Sequence, residues 1–328
     1  MNLFENLGIE KGKAICYSGF REGQNPGGVY PDYAQVKEDL LLLQNHWRYL
    51  RIYDCDQLAE TVLNVISKEK LNFKVMLGAY INAEMNNFNC PWNGGVYTEE
   101  QLEKNCINNQ KQIYKLIEFG NQYPEIVFSL SVGNEACVDW TDHYVPENKI
   151  LKYVKQVKGK TKQPVTYCEN YVPWLFKLDK VAAETDFISI HTYPVWEYKH
   201  IKESLDYSKE NYYSVAKKFP NKAVIITEAG WATNSNGRGI NPENVNEEYQ
   251  KIYFEKLMEW AETENILTFF FEAFDESWKG SPEPLEPEKH WGLFKIDRTP
   301  KKAVKHLLKN NPNNNQCLLK EKTKSLTY

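Results

Sequence analysis

Eight short runs of apolar and β-branched residues, separated by longer stretches of helical character, constrain this chain more than any other feature. The runs cover residues 14–18, 49–53, 74–79, 126–132, 164–168, 187–191, 223–227 and 267–271. Most are continuously apolar rather than alternating, the pattern of strands covered on both faces. Between them lie helical patterns. Residues 32–47 carry Val36, Leu40, Leu43 and Trp47 at helical spacing. Residues 98–119 open on Thr98-Glu99-Glu100-Gln101, a capping-box pattern. Residues 203–219 and 242–261 are further helical stretches, and Pro242 suits a first helical turn because its missing N–H costs nothing there. Alternation of this kind, with no change of composition along the way, predicts the α/β class and a single (β/α)8 TIM barrel over residues 1–308. A chain of 328 residues fits one such barrel. A doubly wound open sheet is the competing architecture, but Gly19-Phe20-Arg21-Glu22-Gly23 does not fit its Gly-rich first turn. The polar, Asn-rich segment 309–328 reads as a tail outside the barrel.

In a barrel the chemistry sits at the C-terminal ends of the strands. Two of the runs end in glutamate: Glu135 closes Gly133-Asn134-Glu135, and Glu228 precedes Ala229-Gly230-Trp231. A pair of carboxylates brought together from distant segments is the minimal equipment for cleaving a glycosidic bond. Asp54, Glu84, Glu169, Glu272, Asp275 and Glu276 compete for the same roles, but local context separates them. Asn134 stands directly before Glu135, where it can hold a sugar 2-hydroxyl, a contact that strengthens in the transition state. The small Ala229-Gly230 after Glu228 lets a substrate approach, and Trp231 follows for stacking. The other strand ends supply Tyr17, Arg51, Tyr53, Asp54 and Tyr193, a mixture that suits a neutral polyol. Arg51 and Asp54 can equally pair inside the barrel mouth, and Tyr17 and Tyr53 can equally be packing. His191 lies at a strand end where it can orient a neighbour.

These segments resemble glycoside hydrolase clan A, and more finely glycoside hydrolase family 17, the β-1,3-glucanases, in its compact microbial form. The resemblance is carried by Leu50-Arg51-Ile52-Tyr53-Asp54, Ser131-Val132-Gly133-Asn134-Glu135, Tyr193-Pro194 and Ile226-Thr227-Glu228-Ala229-Gly230-Trp231. It continues through residues 271–279, with Glu276, Trp278 and Lys279, and residues 288–294, with Glu288 and Trp291. It implies a retaining hydrolase of β-1,3-glucosidic bonds in laminarin-like glucans, with Glu135 as acid/base and Glu228 as nucleophile supported by Tyr193. It implies Glu276, Lys279 and Glu288 as hydroxyl-binding groups, Trp231, Trp278 and Trp291 as sugar contacts, and neither metal nor organic cofactor. Endo or exo action, and hydrolysis or glucanosyl transfer, stay open, as does a non-catalytic glucan-binding barrel.

Composition excludes other classes. The 40 basic and 44 acidic residues are interspersed with no basic stripe, which argues against nucleic acid as a partner. No apolar run approaches the roughly 20 residues of a membrane helix. The opening residues Met1 to Leu7 lack the basic start and apolar centre of a signal peptide. The place of action is extracellular or periplasmic if a leader was removed, and cytoplasmic otherwise. The seven cysteines are irregularly spaced, so no disulfide framework or zinc motif is implied. The expected partner is a β-glucan, and the expected state a monomer.

Overall fold

A computed structural model describes residues 3–92 and 94–309. Eight parallel strands close into a barrel in sequence order. They are β1 (Ala14–Cys16), β2 (Tyr49–Ile52), β3 (Lys74–Ala79), β4 (Val127–Asn134), β5 (Val165–Asn170), β6 (Ile188–Thr192), β7 (Val224–Ala229) and β8 (Thr268–Phe270). Each apolar run of the sequence overlaps one of them, β4 to β7 extending one or two residues past their runs, and nearly every strand residue is buried, as continuous apolar character requires. The fold is a (β/α)8 TIM barrel. Residues 310–328 of the expected tail lie outside the described residues. Among those described, no helix is long and apolar enough to cross a membrane.

The principal helices are Tyr33–Leu43, Gln57–Glu69, Glu99–Gln122, Glu147–Lys158, Ser204–Lys218 and Glu247–Thr263. The capping box falls at a different helix from the one expected. Asp32 accepts from the Gln35 amide at 2.8 Å, and the Gln35 side chain accepts from the Asp32 amide at 3.1 Å. At Thr98 only half of the box forms. The hydroxyl accepts from the Gln101 amide at 3.2 Å, while the Gln101 side chain donates to Asn105 instead. Pro242 opens a separate 3-10 turn, Pro242–Asn244, and extended Val245 ends it. The long helix then starts anew, capped by Asn246 on the Tyr249 amide at 2.8 Å.

Three ladders slip register near the mouth: β4–β5 between Ser131 and Asn134, β6–β7 between Ile190 and His191, and β7–β8 between Ile226 and Ala229. Such irregularities bend a strand and re-aim the side chains that follow. Here they sit at Asn134, His191 and Glu228, and the β6–β7 register sets His191 directly beside Glu228.

A buried charge cluster fastens the chain's end to its beginning. Asp39, fully buried on the helix after β1, accepts from Arg298 Nε at 2.8 Å and Nη2 at 2.7 Å, from Arg21 at 3.0 Å and from Tyr17 Oη at 3.1 Å. Arg298 also donates to the Gly19 carbonyl at 2.9 Å. Removing one partner of such a set leaves charge uncompensated in the interior, at a cost of about 3–5 kcal/mol. Asp39→Ala is therefore expected to lower unfolding free energy by roughly that amount in a denaturant titration. A loss under about 1 kcal/mol, the range of a solvated pair, would show that the cluster is not a fastening.

Candidate active site

The strand ends open into a cleft of about 950 Å³. Glu228, on β7, is almost fully buried at its floor. One carboxylate oxygen is ion-paired with Arg51 of β2, and the other accepts from Tyr193 Oη at 2.5 Å. Arg51 also donates to Asn134 Oδ1 at 2.5 Å, and its guanidinium lies 4.3 Å from the Tyr53 ring centroid. Burial alone would push the Glu228 carboxyl up, but His191 and Arg51 beside it, with the Tyr193 hydroxyl, hold it down at about 2. It is therefore a carboxylate at any pH near neutrality.

Glu135 stands one residue beyond β4 and is partly exposed to the cleft. Its φ of +44° lies in the left-handed region, which is uncommon for a residue with a side chain. Neighbouring hydrogen bonds hold it there. The Glu135 amide donates to the Cys168 carbonyl at 3.0 Å, and the next amide, Ala136, donates to Tyr167 Oη at 3.0 Å. Tyr167 donates in turn to Glu169 at 2.5 Å, and the same Glu169 oxygen accepts from the Cys137 amide at 2.8 Å. Burial and the nearby Glu135 push Glu169 up to about 7.

His191 lies between the two glutamates. Its Nδ1 is 2.8 Å from Glu135 Oε1 and 3.6 Å from Glu228 Oε2. Burial opposes charge on this ring, yet the Glu228 and Glu135 carboxylates, with Cys168, push it up to about 10. One ligand-type atom from each of Glu135, His191 and Glu228 lies within 4.8 Å of the others. That trio has the donors to hold a metal ion. However, the Arg51 guanidinium already occupies one Glu228 oxygen and would repel a dication beside it. As acid chemistry the set offers one ionised, charge-paired carboxylate facing a second carboxyl open to the cleft.

The structure sorts the residues expected around this pair. Tyr53, Asp54, Asn134, Tyr193, Trp278, Lys279 and Glu288 line the cleft together with Glu135 and Glu228, whereas Trp291, expected as a sugar contact, is fully buried behind Tyr193 and Trp196. Arg51 lies behind Glu228 and pairs with it rather than with Asp54. Burial and Asp56 push Asp54 up to about 7. Tyr17 borders the cleft, but its hydroxyl is spent on Asp39. Trp231 needs correction. It is fully buried, its N–H donates to the Asn244 carbonyl at 3.0 Å, and its ring packs on Tyr253 rather than lining the cleft. Glu276 is also withdrawn from the cleft. It is fully buried, bonded to Ser18 and Trp278 and paired with Lys279 at 2.6 Å. Lys279 makes its second pair with Glu272, at 2.9 Å, so Glu272, Lys279 and Glu276 form one ion-paired cluster. Glu288 stands apart facing the cleft, where burial, countered by Lys279 and reinforced by Glu286, Glu135 and Glu228, pushes it up to about 7. Glu84 bonds Asn109 and Tyr153, and Asp275 pairs with Lys301 at 2.7 Å.

Sequence reasoning underrated two residues, His191 and Glu169. The signal for the first was present: His191 and Tyr193 are two apart at a strand end, and that spacing puts both side chains on one face.

Two carboxylates brought together at the strand ends of a barrel, in an aromatic-lined cleft, are equipment suited to a glycoside hydrolase. More narrowly, residues 14–292 match the BtgE/BtgC glycoside hydrolase domain, and the chain belongs to that family. Among solved structures, an endo-laminarinase from Formosa Hel1_33_131 is similar, with 27% identity and a TM-score of 0.80 over 94% of this chain and 89% of that one. Among curated proteins, the glucan 1,3-beta-glucosidase of Arthroderma benhamiae is 24% identical over 302 residues, which is 86% of this chain and 88% of the relative. The btgC protein of Aspergillus niger is 27% identical over 298 residues, covering 84% of this chain but only 40% of that one. The chain thus spans less than half the length of that relative.

The charge pairing carries a pH signature. Glu228 sits at about 2 in the fold and near 4.3 in the unfolded chain, so its ionisation adds stability above the unfolded value. That contribution is lost as pH falls toward 2. Glu228→Gln removes the titration. The stability difference between wild type and this variant is expected to shrink by roughly 3 kcal/mol between pH 6 and pH 2. A difference that stays flat across that range in denaturation experiments would refute the depressed carboxyl.

Proposed function

We propose that the protein is a retaining β-1,3-glucan hydrolase acting on laminarin-like glucans or their oligosaccharides. The carrying observation is the approach of the Glu135 and Glu228 carboxylates, an oxygen of each within 4.8 Å of the other. Retaining enzymes hold their carboxyl groups about 5–5.5 Å apart, whereas inverting ones leave roughly 6.5–9.5 Å for a water. The names of the Formosa and Arthroderma relatives supply the β-1,3-glucan part of the reading.

The geometry supports the following steps. Glu228, ionised and held by Arg51 and Tyr193, attacks the anomeric carbon. Glu135 protonates the departing glycosidic oxygen. The His191 ring holds Glu135 Oε1, leaving Oε2 to carry the transferred proton. The glycosyl-enzyme is then hydrolysed by a water that Glu135, now ionised, deprotonates. Asn134 has its carbonyl oxygen on Arg51, so its amide N–H groups are left for the sugar 2-hydroxyl. Lys279, anchored by Glu272 and Glu276, and the free carboxyl of Glu288 are placed to bind further hydroxyls. Trp278 offers apolar surface to a pyranose face, while fully buried Trp291 packs behind Tyr193 and Trp196 and supports them.

Chemical rescue tests the roles. Glu228→Ala is expected to abolish turnover of laminarin, and added azide to give the inverted glycosyl azide from an activated substrate. Glu135→Ala is expected to keep the first step for good leaving groups, with azide giving the retained product. Wild-type rates on laminarin in both variants would end the assignment. Products longer than the substrate at high oligosaccharide concentration would make the enzyme a glucanosyltransferase instead.

Glu288 is separable from the fold. A hydrogen bond to substrate from a desolvated group is worth about 1–3 kcal/mol, or about tenfold to a hundredfold in rate. Glu288→Ala is expected to lower kcat/KM on laminarin by that factor with little change in melting temperature. Unchanged kcat/KM with a lower melting temperature would assign Glu288 to stability alone.

A further inference from the structure

Strand order puts β3 and β7 on opposite sides of the ring. The loops that follow them nevertheless meet at the cleft. Trp92, from the loop after β3, has its ring centroid 6.5 Å from that of Trp196, from the loop after β6. The Arg238 guanidinium, from the loop after β7, lies 5.1 Å from the Trp92 ring centroid. All three side chains line the cleft.

The contact is anchored at both ends. Arg238 donates to both oxygens of Glu286 at 3.1 Å, and fully buried Glu286 also accepts from Ser281 Oγ at 2.7 Å. Trp196 packs on Trp291 with centroids 6.2 Å apart, and Trp291 packs on Tyr193, which holds Glu228. Gly239 makes room for Trp196. Its φ is +72°, and a Cβ there would come within 2.4 Å of the Trp196 ring. The loop carrying Trp92 is tied down as well. Asn87 Nδ2 donates to the carbonyls of Asp139 at 2.9 Å and Thr141 at 2.7 Å, and Tyr97 Oη donates to the Asp142 carbonyl at 2.8 Å.

An enzyme that attacks internal bonds of a polymer needs a groove open along its length, so that a chain can settle in from the side. A contact between loops from opposite sides of the barrel denies that approach. We propose that the Trp92–Trp196–Arg238 contact is a bar across the cleft, and that a β-1,3-glucan chain must enter by its end. The inference rests on the β-1,3-glucan reading above and adds the mode of access to it.

The test compares a linear β-1,3-glucan hexasaccharide with the same hexasaccharide carrying bulky aromatic groups at both ends. Wild type is expected to cleave the doubly blocked form at least about tenfold more slowly, a difference of about 1.4 kcal/mol in activation free energy. Trp92→Ala and Arg238→Ala each remove part of the bar, and each is expected to bring the ratio of the two rates to within about threefold of unity. Equal wild-type rates on both substrates overturn the bar while leaving the β-1,3-glucan reading intact. So does a blocked-to-free ratio that stays at its wild-type value in both variants. A protein that cleaves neither hexasaccharide overturns both.

Discussion

The mouth of this barrel is organised around one buried ion pair, Arg51 with Glu228. A carboxylate taken out of water on β7 would be protonated or would destabilise the fold unless a charge met it there. Arg51 meets it from β2, which is not a neighbour of β7 in the ring, so the pair spans the barrel interior. The same guanidinium reaches Asn134 at the end of β4 and lies over the Tyr53 ring. One side chain therefore fixes the ends of β2, β4 and β7 relative to one another. Arginine suits this position because its planar fork can serve two acceptors at once and does not lose its proton on burial.

Around that pair, environment sorts carboxyl groups that the sequence presents as equals. Asp275 is neutralised by Lys301, and Glu276 lies beneath Trp278 against Lys279. Glu169 is enclosed by donors from Tyr167 and two backbone amides. Each is satisfied and withdrawn from the cleft. Glu135 and Glu288 face it. The difference is one of partners rather than of residue type, and partners come from other strands.

That is also the boundary of what the sequence discloses. The barrel was legible because continuous apolar runs report burial on both faces, a local property. That Glu135 and Glu228 meet at the barrel mouth was legible because each closes such a run. Trp231 was misread because a tryptophan after a strand end can face the cleft or the outer layer. The turn after β7 sends it outward onto Tyr253 and the Asn244 carbonyl. The pairing of Lys279 with Glu272 was not legible, since the fold of the segment after β8 decides which acids reach the lysine. The two-residue spacing reports that His191 shares a face with Tyr193, but its seat beside Glu228 comes from the register slip between β6 and β7, which spacing does not report.

The two glutamates are unequal for reasons that lie in the backbone. Glu228 is a strand residue, in register beside His191, and shares its two oxygens between a guanidinium and a phenol. It has little freedom, and its charge is fixed before any substrate arrives. Glu135 lies past its strand on a left-handed turn that Gly133, at φ +82°, helps to form. Such a conformation costs roughly 1–2 kcal/mol and persists because Tyr167 and the Cys168 carbonyl hold the amides on either side of its peptide. The turn lifts Glu135 away from Arg51 and toward the cleft, where it keeps one oxygen on His191 and the other open. A nucleophile needs constant charge and a fixed line of attack. A proton donor needs an oxygen free to give a proton up and take another back. Under the roles proposed above, Glu228 as nucleophile and Glu135 as proton donor, paired charges inside the barrel serve the first need and a held turn at its rim serves the second.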